Sequence, residues 1–320
     1  MRKTIVSTIL IASLLMTGCK SYGVRLTTGL KDTELFKLNG KVFSVSEAKV
    51  YFSTEMNLYE DTFGEDIWEN QIGEHSFESY LKQDVKDKCG KILALNIYAD
   101  KNDIRLSQEE REKAKRAAAA YYQALDEDDK KYLELTEEDI CIIYEKYLLS
   151  NKVYSAIVDN VDVEISDAEA KVIKVESIYK KDLSQIQTLM EQINAGGDFK
   201  TIAAENTEAD QVEYQFGRGD MVAEFEDAAF ALSNGQVSGI VQTEEGYYII
   251  KCVNDYMESE TQVNKQKILK EYQMKVFNET YQPFVEKMSL EFNDNVWKTF
   301  SVENMEHINV NNFYKCLENL

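Results

Sequence analysis

Residues 76–158 follow a helical pattern almost without a break, and this stretch restricts the possible folds more than any other part of the sequence. Ser107 and Thr136 each stand three residues before an acidic residue, Glu110 and Asp139, as in a helix-capping box. The predicted helix that begins at Thr136 carries apolar residues at i, i+3, i+4, i+7 and i+8, namely Ile140, Ile143, Tyr144, Tyr147 and Leu148. Such a stripe is typical of helices that pack together. We therefore predict a helical core, and the abundant aromatic residues leave open an exposed apolar groove as an alternative.

Shorter patterns flank this helical stretch. Asn39-Gly40 separates two short apolar runs, which predicts a hairpin because both residues tolerate a positive φ. Ser44 and Glu47 resemble a further capping box at the start of a helix. Residues 261–292 keep a helical period that is interrupted only by Pro283, the single proline of the chain. This proline should bend or end the helix.

The pattern changes between about Glu164 and Asp255. Short β-branched or aromatic runs alternate there with short helices and glycine turns, which is typical of a compact α+β module. We predict strands at residues 171–179 and 247–253, with helices that include residues 183–193 and 224–232.

The predicted fold class is α+β, with a compact α+β module inserted into a mainly helical, discontinuous domain. We place the N-terminal helical part at residues 34–165, the module at residues 166–255 and the C-terminal helical part at residues 256–320. A short insertion usually leaves its flanking segments paired in space. We therefore expect the two helical parts to pack together as one domain.

The amino-acid composition excludes several classes of function. The 320 residues include 36 Lys and Arg against 57 Asp and Glu, so the formal net charge is −21 and a nucleic-acid partner is disfavoured. A mean hydropathy of −0.42 excludes a multi-span membrane protein. The two histidines, His75 and His307, lie far apart, which disfavours a Ser-His-Asp or Cys-His hydrolase and leaves no recognisable metal site. We predict no cofactor.

The N-terminus has the layout of an export signal. Met1-Arg2-Lys3 precedes an apolar run from Ile5 to Met16, and the small residues Thr17-Gly18 stand before Cys19. This end resembles a bacterial lipoprotein signal, which implies that residues 1–18 are removed, that Cys19 is lipidated and that residues 19–33 form a tether. The alternative is an ordinary signal peptide with an incidental cysteine. We expect an extracytoplasmic, lipid-anchored protein in which the pairing of Cys89, Cys141, Cys252 and Cys316 is open.

The module carries long motifs that keep both their order and their spacing. They are GRGDMVAEFEDAAFAL at residues 217–232, GQVSGIVQT at 235–243 and GYYIIK at 246–251, preceded by GGDF at 196–199. Residues 166–255 therefore resemble a parvulin-like (PpiC-type) peptidyl-prolyl isomerase domain. Together with the lipoprotein signal and the flanking helical segments, the whole chain resembles the PrsA-like and, more distantly, the SurA-like foldases.

The parvulin resemblance implies a set of site residues. Met221 and Phe225 match the residues that line the proline pocket of the family, and simple core packing is the alternative for both. Parvulins carry two facing histidines beneath this pocket, and the matching positions here hold Ser177 and Tyr248. Their hydroxyl groups can both donate and accept hydrogen bonds in place of the imidazoles, or they merely fill the space.

The resemblance implies an isomerase that assists the folding of exported proteins, with weak or lost catalytic activity because both histidines are replaced. Its partners would be unfolded or partly folded exported polypeptides, proline-containing segments and, through the lipid on Cys19, the membrane. A noncatalytic holdase chaperone is one alternative. A surface adhesin or assembly scaffold with a degenerate parvulin module is the other.

Overall fold

The computed structural model describes residues 23–24, 29–159, 163–305 and 313–318. By contacts the described residues divide into a helical unit, which lies within residues 1–160 and 276–320, and an α+β unit, which lies within residues 161–275. The predicted module boundaries at residues 166 and 255 stay predictions. Cys19 and the predicted signal peptide lie outside the described residues.

The helical unit is built mainly from five helices. They are α1 (Val45–Phe63), α2 (Phe77–Lys101), α3 (Gln108–Ala124), α4 (Glu127–Leu133) and α5 (Glu137–Val158). Helix α5 packs against both α2 and α3, and its inward side chains Ile140, Ile143 and Tyr144 are buried. The predicted apolar stripe on this helix is therefore a core face.

Local caps fix where these helices begin. The predicted capping boxes at Ser107 and Thr136 are confirmed, because in both the side chain of the first residue and that of the acidic residue bind the opposite backbone N–H. At Ser44 only half of the box forms. The Ser44 hydroxyl accepts from the backbone N–H of Glu47, whereas the Glu47 carboxylate pairs with Lys146 Nζ at 2.6 Å.

A small sheet completes the helical unit. It contains β1 (Gly23–Val24), β10 (Ser289–Phe292), β2 (Glu34–Leu38) and β3 (Lys41–Ser44), in that spatial order, and a two-stranded ribbon of β4 (Gln71–Ile72) and β5 (His75–Ser76) lies elsewhere. The predicted hairpin is confirmed: Asn39 and Gly40 turn between β2 and β3 with φ values of 48° and 77°. Strand β1, which falls within the predicted tether, pairs in parallel with β10.

The C-terminal helical prediction is wrong at its end. Helix α10 (Glu258–Val285) contains Pro283 and stops two residues later, and residues 289–292 are strand β10 instead of helix. Proline removes a backbone donor and crowds the preceding turn, and Phe292 then stacks on Phe36 of β2 at 6.3 Å between ring centroids. Two short helices follow, α11 (Asp294–Trp297) and α12 (Lys315–Glu318).

An aromatic cluster forms the centre of the helical unit. Phe313 is fully buried and stacks on Tyr144 with ring centroids 4.0 Å apart. Tyr51 and Tyr121 meet the same ring edge-on, and the Tyr144 hydroxyl donates to the Phe313 carbonyl at 2.8 Å. These contacts attach the described C-terminal segment to α5, 169 residues earlier in the chain.

The α+β unit is a four-stranded antiparallel sheet with helices on both faces. The strands, in the spatial order β7, β6, β9, β8, are Glu213–Phe216, Ile173–Lys180, Tyr247–Asn254 and Val241–Gln242. The helices are α6 (Asp167–Ala170), α7 (Leu183–Asn194), α8 (Phe199–Asn206), α9 (Ala223–Phe230) and the first part of α10. Each predicted strand and helix of the module is present within a few residues of its predicted bounds, and the predicted fold class is confirmed.

The two faces of this sheet bury different clusters. One face, with Ile178 and Ile249, packs against α7 and α8. The other face, with Val175 and Ile250, packs against α9. Gly197 permits a tight approach between α7 and α8, because a Cβ there would lie 2.7 Å from Ile202 Cδ1 and 2.9 Å from the Gln192 carbonyl oxygen.

Two further observations concern membrane-spanning helices and the cysteines. Within residues 23–24, 29–159, 163–305 and 313–318, no helix is both long and apolar enough to cross a membrane. Cys89, Cys141, Cys252 and Cys316 are free thiols in this structure.

Candidate functional site

The register of the central strands brings Ser177 and Tyr248 to one face of the sheet. Ser177 on β6 lies opposite Ile250 on β9, and Tyr179 lies opposite Tyr248. Side chains two residues apart on a strand share a face, so Ser177, Tyr179, Tyr248 and Ile250 all point toward helix α9. The two hydroxyl-bearing residues are thus diagonal neighbours on the face that carries Phe225.

Phe225 is a core side chain in this structure. It is 1% exposed, and three aromatic rings surround it. The Tyr248 ring meets it edge-on at 5.0 Å between centroids, the Phe216 ring lies at 5.7 Å and the Tyr214 ring at 6.2 Å. A ligand that touched Phe225 would have to move one of these three neighbours.

Met221 is more accessible than Phe225. It is half-buried, packs against the same cluster and follows the loop that joins β7 to α9. Two carboxylates fix this loop: Asp220 accepts from the backbone N–H of Gly217 at 2.9 Å, and the buried Glu226 accepts from that of Gly219 at 2.8 Å. Gly219 has a φ of +90°, which favours glycine.

An open depression of about 540 Å³ lies beside Met221. Its lining comes from the edge strand β7, the adjoining loops and the start of β6, and consists of Lys174, Gln211, Glu213, Tyr214, Gln215, Phe216, Asp220 and Met221. Lys174 pairs with Glu213 at 2.8 Å, and Lys200 pairs with the same carboxylate at 2.6 Å. These lysines lower the pKa of Glu213 to about 2, so the carboxylate stays ionised at neutral pH and its charge is balanced by the two ammonium groups.

The Ser177 hydroxyl is buried without a partner. The residue is 0% exposed, and its backbone N–H donates to the Val212 carbonyl at 2.8 Å. Its Oγ has no hydrogen-bond partner among the described residues. An unsatisfied buried hydroxyl costs about 1–3 kcal/mol. Ser177 therefore does not act here as a conventional structural hydrogen-bonding residue.

Tyr248 is held by aromatic contacts. Its ring packs against that of Tyr179 at 4.8 Å, and the Tyr179 hydroxyl donates to the Glu245 carbonyl at 2.6 Å. Burial raises the pKa of Tyr248, and the nearby Tyr179 and Glu245 raise it further. The phenol therefore stays protonated at neutral pH and is able to donate a hydrogen bond.

Gly246 permits a close approach between the start of β9 and the end of β6. Its φ of +156° is accompanied by a close approach, since a Cβ there would lie 2.7 Å from the Lys180 carbonyl oxygen and 2.8 Å from Tyr179 Cε2. Glycine at this position therefore lets the start of β9 pack directly on Tyr179.

The acidic residues upstream of β7 lie at the edge of this site. Glu208 accepts from the backbone N–H of Lys181 at 3.2 Å and pairs with Lys180 Nζ at 3.2 Å, so it belongs to a surface ion pair. Asp210 is exposed, and it lies near enough to Tyr214 to raise the pKa of that phenol, after burial as the larger cause.

Sequence reasoning missed Tyr214, Phe216 and Tyr179 as members of this site. The signal for the first two was present, because Tyr214 and Phe216 alternate with Glu213 and Gln215, as expected of a half-buried strand. The predicted residues Ser177, Tyr248, Met221 and Phe225 come together on one face of the α+β unit, and their roles stay predictions.

The residue types define what this face is able to do. Within the part of the chain that the structure describes, no cluster of three or more His, Cys, Asp and Glu side chains is arranged to hold a metal. Aromatic and thioether groups suit apolar contact with a compact ring, and protonated hydroxyls suit hydrogen bonds to an amide.

Comparisons with known proteins agree with this description. Residues 173–254 match the family model of the PPIC-type PPIASE domain, described as a rotamase. Foldase protein PrsA of Caldanaerobacter subterraneus subsp. tengcongensis is 25% identical over 233 residues, which cover 67% of this chain and 71% of that protein. Foldase protein PrsA 4 of Bacillus cereus is 33% identical over 114 residues, covering 34% of this chain and 41% of that protein.

A solved structure, peptidylprolyl isomerase (PrsA) from Bacillus cereus, aligns with a TM-score of 0.38 and 23% identity, over 78% of this chain and 97% of that chain. The alignment with foldase protein PrsA 4 of Bacillus cereus covers less than half the length of that protein.

Proposed function

Because residues 173–254 form a parvulin domain of the PPIC type, we propose that this protein is an extracytoplasmic foldase that binds proline-containing segments of exported polypeptides. The observation that carries the proposal is the face on which Met221, Phe225, Ser177 and Tyr248 meet. Similarity to foldases named PrsA supports the same role.

The proposed reaction is rotation about the peptide bond that precedes proline. This bond has partial double-bond character, and its uncatalysed exchange takes tens to hundreds of seconds. No covalent bond forms or breaks, so the protein has only to bind the twisted amide more tightly than the planar one. Met221 would hold the proline ring by apolar contact while the carbonyl side turns.

We assign hydroxyl roles to Ser177 and Tyr248. Tyr248 is a protonated donor at the edge of the site, and the Ser177 hydroxyl beneath it lacks a partner. Either group would stabilise the twisted amide by a neutral hydrogen bond, whereas an imidazole pair adds a group that titrates near neutral pH. We therefore expect slower isomerisation than in a parvulin with both histidines.

The helical unit would hold client chains by apolar contact. Phe63 is 57% exposed and Ile72 is 49% exposed. Phe63 lies beside Tyr59 and Phe77, with ring centroids 6.1 and 6.4 Å away. Exposed aromatic surface at Phe63 supports a binding role.

A cis-to-trans exchange assay tests the catalytic part of this proposal. Soluble protein lacking residues 1–19 is measured with a short proline peptide, beside Met221→Ala as the site variant and Val222→Ala as a matched control. Val222 is adjacent but 52% exposed. We expect acceleration by the parent protein and by Val222→Ala, and a loss of about tenfold in Met221→Ala. Equal rates with and without folded parent protein would reject catalysis.

The replacement of both histidines favours one second candidate, a noncatalytic holdase. An aggregation assay with an unfolded exported protein separates the two functions. A holdase would suppress aggregation while proline exchange stays at its uncatalysed rate, whereas a foldase with a working isomerase would change both.

Lipid attachment at Cys19 is a separate part of the proposal. It rests on the sequence of the N-terminus, and two acyl chains would give stable anchoring where one is marginal. In cells that process lipoproteins, Cys19→Ser should abolish the incorporation of labelled fatty acid that the parent protein shows. Labelling of the variant at the level of the parent protein, or an unlabelled parent protein, would contradict the assignment.

A further inference from the structure

We propose that Tyr214 is a gate residue of the proline site, which covers Phe225 in the unliganded protein and must move before a proline ring reaches that side chain. This inference rests on the proposed function, because it concerns access to the same site. Its consequence is specific: affinity for proline segments is limited by how often Tyr214 stands open.

The closed state is visible in the packing of Phe225. A residue that contacts a ligand needs accessible surface, and Phe225 has 1%. Its ring is enclosed by Tyr214, Phe216 and Tyr248, whereas Met221 beside it remains half-buried. The accessible depression therefore ends at Met221 and Tyr214, and Phe225 lies behind them.

Of the three covering rings, Tyr214 is the one that is free to move. Phe216 is 4% exposed and belongs to the buried cluster. Tyr248 is half-buried, but it lies on β9 between β6 and β8, and its ring is packed against that of Tyr179. Tyr214 is also half-buried, and it lies on β7, the four-residue strand at the edge of the sheet.

A single local hydrogen bond adds to the closed position. The Tyr214 hydroxyl donates to the Gln211 carbonyl at 3.0 Å, within the turn that precedes β7. A neutral bond of this kind contributes about 0.5–1.5 kcal/mol, and the edge-to-face contact with Phe225 contributes a similar amount. A rotation of the side chain breaks both without disturbing the backbone pairing of Tyr214 with Val175.

Opening would join Phe225 to the existing depression. Tyr214 and Met221 both line that depression, so moving the tyrosine ring extends it toward Phe225 and creates an apolar slot between Met221 and Phe225. The proline ring of a client replaces the tyrosine ring there. Apparent affinity then equals intrinsic affinity reduced by the fraction of open molecules.

The test compares Tyr214→Ala and Tyr214→Phe with the parent protein. Tyr214→Ala removes the cover, and Tyr214→Phe keeps the ring but removes the bond to the Gln211 carbonyl. Tyr272→Ala is the matched control, because Tyr272 is a 42% exposed tyrosine on α10 in the same unit. The dissociation constant of a short proline peptide is measured by titration calorimetry, and KM and kcat by exchange spectroscopy.

We expect Tyr214→Ala to lower the dissociation constant and KM about five- to tenfold. Tyr214→Phe should lower them about two- to threefold, and Tyr272→Ala should leave them unchanged. Because Tyr214→Phe is a conservative change, it tests the gate even if Tyr214→Ala does not fold. Contacts between the bound proline and Phe225 should appear in nuclear Overhauser spectra of the tighter-binding variants.

The remaining outcomes separate the gate from the proposed function. Peptide binding by the parent protein with unchanged or weaker binding by both Tyr214 variants would overturn the gate and leave the foldase proposal intact. Binding by a Tyr214 variant alone would support the gate strongly. Absence of binding in all folded proteins would overturn both the gate and the isomerase part of the proposed function.

Discussion

Phe225 and Met221 stand four residues apart in the same motif, yet their surroundings differ. Phe225 is closed in by three rings and contributes to the core of the α+β unit. Met221 is half-buried at the rim of the depression. Phe225→Ala therefore removes core packing, whereas Met221→Ala removes the proposed contact with the ligand.

We expect Phe225→Ala to lower the free energy of unfolding by about 3–5 kcal/mol, because it leaves a cavity in a packed core. Met221→Ala should lower it by about 1 kcal/mol, since a half-buried side chain removes less apolar surface from water. Denaturant unfolding of both variants checks this. Similar losses would mean that Met221 is also a core residue, and Met221→Ala could then not serve as a selective site variant.

Asp84 in the helical unit is a carboxylate with an unusual environment. Burial raises its pKa from the ordinary 3.8 to about 6, with Glu55 and Asp87 raising it and Lys88 lowering it. Tyr59 faces the same carboxylate, which raises the pKa of that phenol after burial as the larger cause. Asp84 Oδ2 is buried without a hydrogen-bond partner among the described residues.

A raised pKa means that the folded protein holds the Asp84 proton more tightly than the unfolded chain. Its contribution to stability is complete below about pH 4 and is lost as the pH rises through about 6. Asp84→Asn removes the charge, so we expect it to gain stability over the parent protein between pH 4 and pH 7, by at most about 3 kcal/mol. Thermal unfolding measured across this range tests the sign.

The control for Asp84→Asn is Asp61→Asn, which removes the same charge from an exposed position on α1. Because this position is exposed, Asp61→Asn should change the free energy of unfolding by less than about 0.5 kcal/mol. A stability difference for Asp84→Asn that is flat from pH 4 to pH 7 would show that the carboxylate is solvated in the folded state.

Among the elements, the β2–β3 hairpin has a role beyond its own turn. Asn39 adopts a left-handed φ of 48°. Its backbone N–H donates to the Ser289 carbonyl at 2.9 Å, and its Oδ1 accepts from the Ser289 N–H at 2.9 Å. One turn residue therefore both reverses the chain and attaches strand β10, 250 positions away.

Glycine and alanine at position 39 separate these two contributions. Asn39→Gly keeps the left-handed turn and loses the side-chain bond to Ser289, which should cost about 1 kcal/mol. Asn39→Ala loses the bond and adds about 1–2 kcal/mol of strain in the left-handed region. Denaturant unfolding should therefore rank the parent above Asn39→Gly and Asn39→Ala last. Equal losses would show that the turn conformation contributes nothing.

Elements set by neighbouring residues could be predicted from the sequence. The Asn39-Gly40 turn and the Thr136 capping box each depend on residues within four positions of one another, and both are present. Strand β10 could not be predicted, because Ser289–Phe292 is extended only through pairing with β2, far away in the chain. Glu47 illustrates the same limit, since its ion pair with Lys146 replaces the reciprocal half of its cap.

In the candidate site, too, the sequence predicts the residues involved but not the features that depend on tertiary contacts. The resemblance to parvulins pointed to Ser177, Tyr248, Met221 and Phe225, and strand register explains why the first two are neighbours. The burial of Phe225 depends on Tyr214, which lies outside the motifs at residues 217–251. Exposure of a pocket side chain is a property of its neighbours, so it cannot be inferred from the pattern that contains it.

For the molecule as a whole, charge is the property that acts over the longest range. A formal net charge of −21 attracts basic chains and repels acidic ones before any contact is made. Apolar contacts at Met221 or Phe63 act only at short range. Capture of a client and isomerisation of its proline bonds should therefore respond differently to ionic strength.

We expect the association rate with a basic unfolded client to fall at least tenfold between about 0.1 and 1 M sodium chloride, because the Debye length shrinks from about 10 to about 3 Å. An uncharged proline peptide should bind and exchange at nearly the same rate at both concentrations. Stopped-flow fluorescence gives the client rates, and a succinylated, acidic form of the same client is the control, which should associate faster in high salt. If the basic client associated equally fast at both concentrations, the negative charge would have no part in capture and apolar contact alone would account for it.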